Sequence, residues 1–148
     1  VIDFSLFTGD KDKAKKLAEE SKIRLDSQLS KEGKQRLELV RTKGLGYSTM
    51  NLRGWFTVAT LAEKTGVDLW NYHTSKSADL RTAFDWLMPY ALGEKKWEYQ
   101  QISNYNKNEV YPLLLQASSA FKDQRYLMVA KNINTGNTYS IADLLYGK

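Results

Sequence analysis

Between Tyr47 and Gly66, the apolar residues Leu52, Trp55, Phe56, Ala59 and Ala62 fall three and four positions apart, the spacing that lines one face of an α-helix. The same period recurs along the chain. Asp10 is a good N-cap, and behind it Ala14, Leu17, Ala18, Ser21 and Leu25 carry the period to about Leu29. Leu80, Ala83, Phe84, Leu87 and Ala91 share a face behind a Ser77 cap, and Pro89 is expected to kink that helix or tighten its last turn. Val110, Leu114, Ala117 and Phe121 share another face, where Pro112 is tolerated near the first turn. The opening VIDFSLF reads as the end of a helix, and a short helical segment covers about Gln124 to Lys131. Residues 134–148 (NTGNTYSIADLLYGK) read as loop plus a weak terminal turn. No run of five residues alternates as a strand would beside a hairpin turn. The chain is therefore expected to be all-α, made of antiparallel helical hairpins whose apolar faces bury one another. No fixed-period repeat is visible, which argues against a regular solenoid.

A chain of 148 residues can bury a real core, and one domain spanning 1–148 is the expectation. No stretch approaches the roughly 20 apolar residues of a membrane span. Cysteine is absent, which excludes disulfides, thiolate metal sites and thiol nucleophiles together. The single histidine, His73, leaves only oxygen ligands for a metal, and no acidic cluster has calcium-loop spacing, so neither metal nor cofactor is expected. Net charge is +5, with four Trp and nine Tyr, a balance that suits an acidic partner such as nucleic acid or a polyanionic glycan. Charges of both signs are interspersed, and no basic stripe or recognition helix stands out, so nucleic acid ranks last.

Glu38–Leu52 reads ELVRTKGLGYSTMNL: a basic, glycine-punctuated connection that delivers Tyr47 where the helical period resumes. A tyrosine is a poor base at neutral pH because its reference pKa is roughly 10, and nearby cations favour the phenolate. Arg41 and Lys43 lie on the approach, and Gly44 and Gly46 would let the backbone curl until a guanidinium reaches the phenol. Such a device suits removal of a proton α to a carboxylate, as in β-elimination from a uronic acid, where arginine also pairs with the substrate's charge. The same residues equally fit a structural tyrosine at a helix start, with Arg41 capping a loop carbonyl. Trp55, Phe56, Phe84 and Trp86 belong to the core by their spacing. Trp70 and Tyr72, with Trp97 and Tyr99, fall outside helices, where rings of this kind stack on sugars and neighbouring lysines suit acidic ones. His73 has no orienting partner nearby in sequence and reads as a loop residue.

Three stretches cohere: VIDFSLFTGDKDKAKKLAEES, LELVRTKGLGYSTMNLRGWFTVATLAEKTGVDLW and LRTAFDWLMPYALGEKKWEYQQI. Together they resemble the C-terminal half of the alginate lyase family, helical polysaccharide lyases acting on polymannuronate, over most of residues 1–103. The resemblance implies an incomplete (α/α) toroid and a β-elimination that leaves an unsaturated sugar end. It implies Tyr47 as the proton donor or acceptor, and Arg41 as the residue that lowers its pKa or binds the carboxylate. Asn51, one turn beyond Tyr47, would face the same cleft, with Lys43, Trp70, Tyr72 and Trp97 as further substrate contacts. The substrate would be an acidic polysaccharide, and the protein periplasmic or secreted. The family pairs this tyrosine with an Asn–His motif that is absent here, His73 being preceded by Tyr72; the motif would fall before Val1. The chain is accordingly expected to be the C-terminal portion of a lyase, inactive alone, and to associate with itself or with the missing N-terminal part. Two rivals stand beside this reading. One is a non-catalytic helical module binding acidic glycans or partner proteins; the other is a toroid hydrolase of unsaturated uronides using acids such as Asp85.

Overall fold

Among the described residues, seven helices follow in chain order: α1 (Ile2–Phe7), α2 (Lys11–Gln28), α3 (Arg36–Leu39), α4 (Gly44–Glu63), α5 (Leu80–Ala91), α6 (Tyr111–Phe121) and α7 (Gln124–Ile133), with a 3-10 turn at Lys107–Val110. The computed structural model describes residues 1–133 and 145–146, and among these there is no β-strand, only two isolated bridges. Most of the loop expected over 134–148 thus lies outside the described residues. No helix among them is long and apolar enough to cross a membrane.

α4 organises the molecule. It packs against α1, α2, α3, α5 and α6, while α1 with α2 and α6 with α7 form neighbouring pairs. Leu52, Phe56, Ala59 and Ala62 are fully buried, as their spacing predicts. The Phe56 ring meets Trp70, Phe84 and Phe121 edge-on at centroid distances of 4.8, 5.6 and 6.2 Å, so one aromatic cluster joins α4, the 67–70 corner, α5 and α6. Each buried aromatic of this kind contributes a few kcal/mol, about 1 of which comes from ring-edge geometry.

The helix ends show why the boundaries fall where they do. Asp10 caps α2, its carboxylate accepting from Lys13 N at 3.1 Å. α5 is capped by Asp79 and not by Ser77: Asp79 accepts from Thr82 N and Thr82 Oγ1, both at 2.7 Å. Ser77 has φ +60° and belongs to a closed turn in which Thr74 Oγ1 donates to Ala78 O and accepts from Ala78 N. That left-handed backbone is incompatible with the extended geometry of an N-cap. Pro89 sits in the last turn of α5, and its carbonyl accepts from Glu94 N and Lys95 N as the chain turns away.

The loop between α2 and α4 holds a helical turn, α3, that apolar spacing did not reveal. Gly33 makes this loop fit. Its φ is +81°, and a Cβ there would lie 2.6 Å from Thr82 O and 2.7 Å from Ala83 N, inside the backbone of α5. The loop therefore sits directly on α5, and Gln35, which opens α3, reaches Ser48 of α4.

Candidate active site

The N-terminus of α4 has no side-chain cap. Its first amides are met instead by residues 100–102: Gly44 N donates to Gln100 O at 3.0 Å, and Leu45 N donates to Gln101 Oε1 at 3.1 Å. Ile102 N donates to Thr42 O at 3.0 Å, which fastens the other side of the same connection. Gly44 permits this approach, since a Cβ would lie 3.3 Å from both Gln100 O and Trp97 Cζ2. Neither Gly44 nor Gly46 adopts a left-handed backbone, and both are helical. The curled glycine loop expected from the sequence is thus the first turn of α4.

Arg41 nevertheless reaches Tyr47. Its guanidinium carbon stands 3.4 Å from the centre of the phenol ring, stacked on the face. Glu38 on α3 holds it there, with Oε2 3.2 Å from Arg41 Nη1. Arg41 is exposed, Tyr47 is half-buried, and Lys43 is exposed at the same corner.

One turn on, Asn51 enters a polar relay whose sense is set by one group. The Trp55 indole N–H can only donate, and it donates to Gln28 Oε1 at 2.8 Å. The atom Asn51 turns to that same oxygen at 3.1 Å must then be Nδ2, whose second hydrogen goes to Gln35 Oε1 at 2.8 Å. Gln35 is left to donate through Nε2 to Ser48 O at 3.1 Å. The relay ties the end of α2, the buried Gln35 and three positions of α4 together. The family resemblance had singled out Asn51 but neither glutamine, because each glutamine comes from a different element and carries no periodic signal of its own.

Tyr47, Asn51, Gly54 and Val58 form one stripe of α4 at helical spacing. From Asn51 onward the stripe borders a pocket of about 480 Å³ between α1, α2 and α4. The other expected contacts fall elsewhere. Trp70 is only 4% exposed and packs against Phe56 and Phe121, so its ring faces the core and not a cleft. Tyr72 lies against α2, with Lys22 Nζ 5.4 Å over its ring. Trp97 is half-buried among Trp86, Tyr90 and Tyr99, at 6.0, 5.4 and 5.1 Å, and leans on the start of α4. His73 faces the cap of α5, with Nε2 3.5 Å from Asp79 Oδ2. Asp85 accepts from Tyr126 Oη at 2.6 Å. Burial first and that carboxylate second raise the Tyr126 phenol well above its ordinary value. Burial likewise pushes Tyr105 up to about 12, against the opposing effect of its hydrogen bond with Thr49. Both of these phenols keep their protons across the physiological range.

The family described as Alginate lyase matches residues 1–97, and the chain belongs to it. It is also similar to a crystal structure of an alginate lyase from Bacteroides ovatus, with 28% identity and a TM-score of 0.87 over 98% of this chain and 39% of that one. The chain thus spans 39% of the length of that protein. No curated protein matches it.

Proposed function

We propose that this chain supplies the tyrosine side of the active site of a lyase that cleaves alginate or a related polyuronate by β-elimination. The Tyr47 oxygen takes the proton from C5 of the uronate as its own hydroxyl proton passes to the glycosidic oxygen; the C–H electrons form the C4=C5 double bond, and the C4–O bond breaks with its pair leaving on that oxygen. The observation that carries this is the Arg41–Tyr47 stack at 3.4 Å in a member of the alginate lyase family. The guanidinium lies over the ring face, so positive charge stands beside the phenol and the bound uronate during the transfer. Lys43 adds charge at the same corner. The helices would form an arc of an incomplete (α/α) toroid acting outside the cytoplasm, in the periplasm or beyond it. Turnover requires the rest of the whole protein, and this chain alone is inactive. Phe4, Phe7, Val40 and Met50 are 68, 88, 81 and 57% exposed, which supports association with that remainder or with a second copy.

The test is the ultraviolet absorbance of unsaturated products from the whole protein on polymannuronate, polyguluronate and other polyuronates. Product on one polymer names the substrate. No product on any of them leaves a glycan-binding module in its place.

A further inference from the structure

We propose that the pocket between α1, α2 and α4 takes the hydroxyl-bearing edge of a sugar unit, with Asn51 Oδ1 accepting and Gln28 Nε2 donating. This rests on the lyase reading for the identity of the sugar, but the hydrogen-bond polarity comes from the relay. Both Asn51 amide hydrogens are committed to Gln28 and Gln35, so the atom it has left is the acceptor Oδ1. Gln28 Oε1 already receives Trp55 and Asn51, so the group it has left is the donor Nε2, unbonded among the described residues. Ser21 at the same pocket spends its hydroxyl hydrogen on Ala18 O at 2.6 Å, leaving only lone pairs. The pocket is therefore bordered by one amide acceptor and one amide donor, the complement of hydroxyls, each of which both donates and accepts.

A carboxylate fits poorly in the same place. Asp3 and Glu20 line the pocket beside Arg24, and Asn51 has no N–H to give. The uronate charge is better met at the other end of the stripe, by Arg41 and Lys43. Tyr47 and Asn51 are one helical turn apart, about 6 Å between Cβ atoms, comparable to the length of one sugar ring. A chain lying along α4 would thus present its reacting unit to Tyr47 and the hydroxyls of the next unit to Asn51. The unsubstituted Gly54 and the Trp55 edge leave room for it.

The test is an NMR titration of the isotopically labelled 148-residue chain with two probes: an oligomannuronate, and the same oligosaccharide with its hydroxyls O-methylated and its carboxylates intact. The oligomannuronate should shift the Asn51 side-chain amide and the Trp55 indole signals. The methylated probe should bind about 10-fold more weakly, as expected for losing a buried hydrogen bond or two. Asn51→Ala, checked for folding by circular dichroism, should bind both probes alike. Equal affinity of the wild-type chain for the two probes would overturn the proposal without recourse to any variant. So would binding that leaves the Asn51 and Trp55 signals unmoved, or the absence of binding by either probe at millimolar concentration. Failure of the lyase reading is separate: hydroxyl-dependent binding through Asn51 with no unsaturated product from the whole protein would remove the chemistry and keep this site.

Discussion

Gly33→Ala should cost far more stability than Gly66→Ala, for which only backbone conformation is at stake. Two terms add. At φ +81° an alanine enters the left-handed region, at about 1–2 kcal/mol. Its Cβ would then stand 2.6 Å from Thr82 O, a carbonyl inside α5 that cannot swing aside as a flexible side chain would. Restoring ordinary contact moves the loop or α5 by most of an ångström, and overpacking of this kind costs about 1–3 kcal/mol more. The total is about 2–5 kcal/mol. Gly66 supplies the control, since it has φ +79° with nothing within 4 Å of its Cβ position. Gly66→Ala should lose only the conformational part, about 1–2 kcal/mol. Urea titration of both variants, followed by the emission of the buried Trp55 and Trp70, measures the difference directly. Similar midpoints for the two would refute the seating of the loop on α5, and with it the reason Gln35 is held under Asn51.

Phe56→Ala removes the ring shared by Trp70, Phe84 and Phe121 and should lower unfolding free energy by about 3–5 kcal/mol in the same titration; a loss under about 1 kcal/mol would mean that this cluster is not the core. Asp123 is held down to about 2, from 3.8, first by its hydrogen bonds from Arg125 and further by Arg81, whose Nη2 is 2.6 Å away. Because the folded value is the lower one, its stabilisation is full above about pH 4 and is lost as pH falls through about 2. Asp123→Asn should therefore flatten the acid side of the stability profile between those values, and an unchanged profile in thermal melts would contradict the assignment.

The elements were legible because burial and period coincide in them: Leu52, Phe56, Ala59 and Ala62 were placed on one face by spacing and lie on one face in space. α3 was not legible. Four residues are too few to show a period, and the turn depends on Gly33 meeting α5, a contact some fifty residues away in sequence. The cap of α5 lies two residues beyond Ser77: a serine and an aspartate both satisfy the local pattern, and only the left-handed backbone at Ser77 decides between them. At the candidate site, the approach of Arg41 to Tyr47 was legible from the basic, glycine-punctuated block, whereas Asn51 entered through the resemblance to the family. Trp70 lies outside a helix, which points to a ligand-facing surface, yet the corner that carries it turns inward onto Phe56. Gln28 and Gln35 could not have been foreseen, since what makes them matter is the sense of a hydrogen-bond relay closed only by folding.

The most direct test of the central claim replaces Tyr47 by Phe in the whole protein and measures both turnover and binding on its preferred polyuronate. Loss of the hydroxyl alone should lower kcat by about 100-fold or more, as for removal of a general acid–base group, while oligosaccharide affinity stays within a few-fold and the fold is unchanged. Turnover equal to that of the wild type would take Tyr47 out of proton transfer and leave its stack with Arg41 as a structural contact at the head of α4.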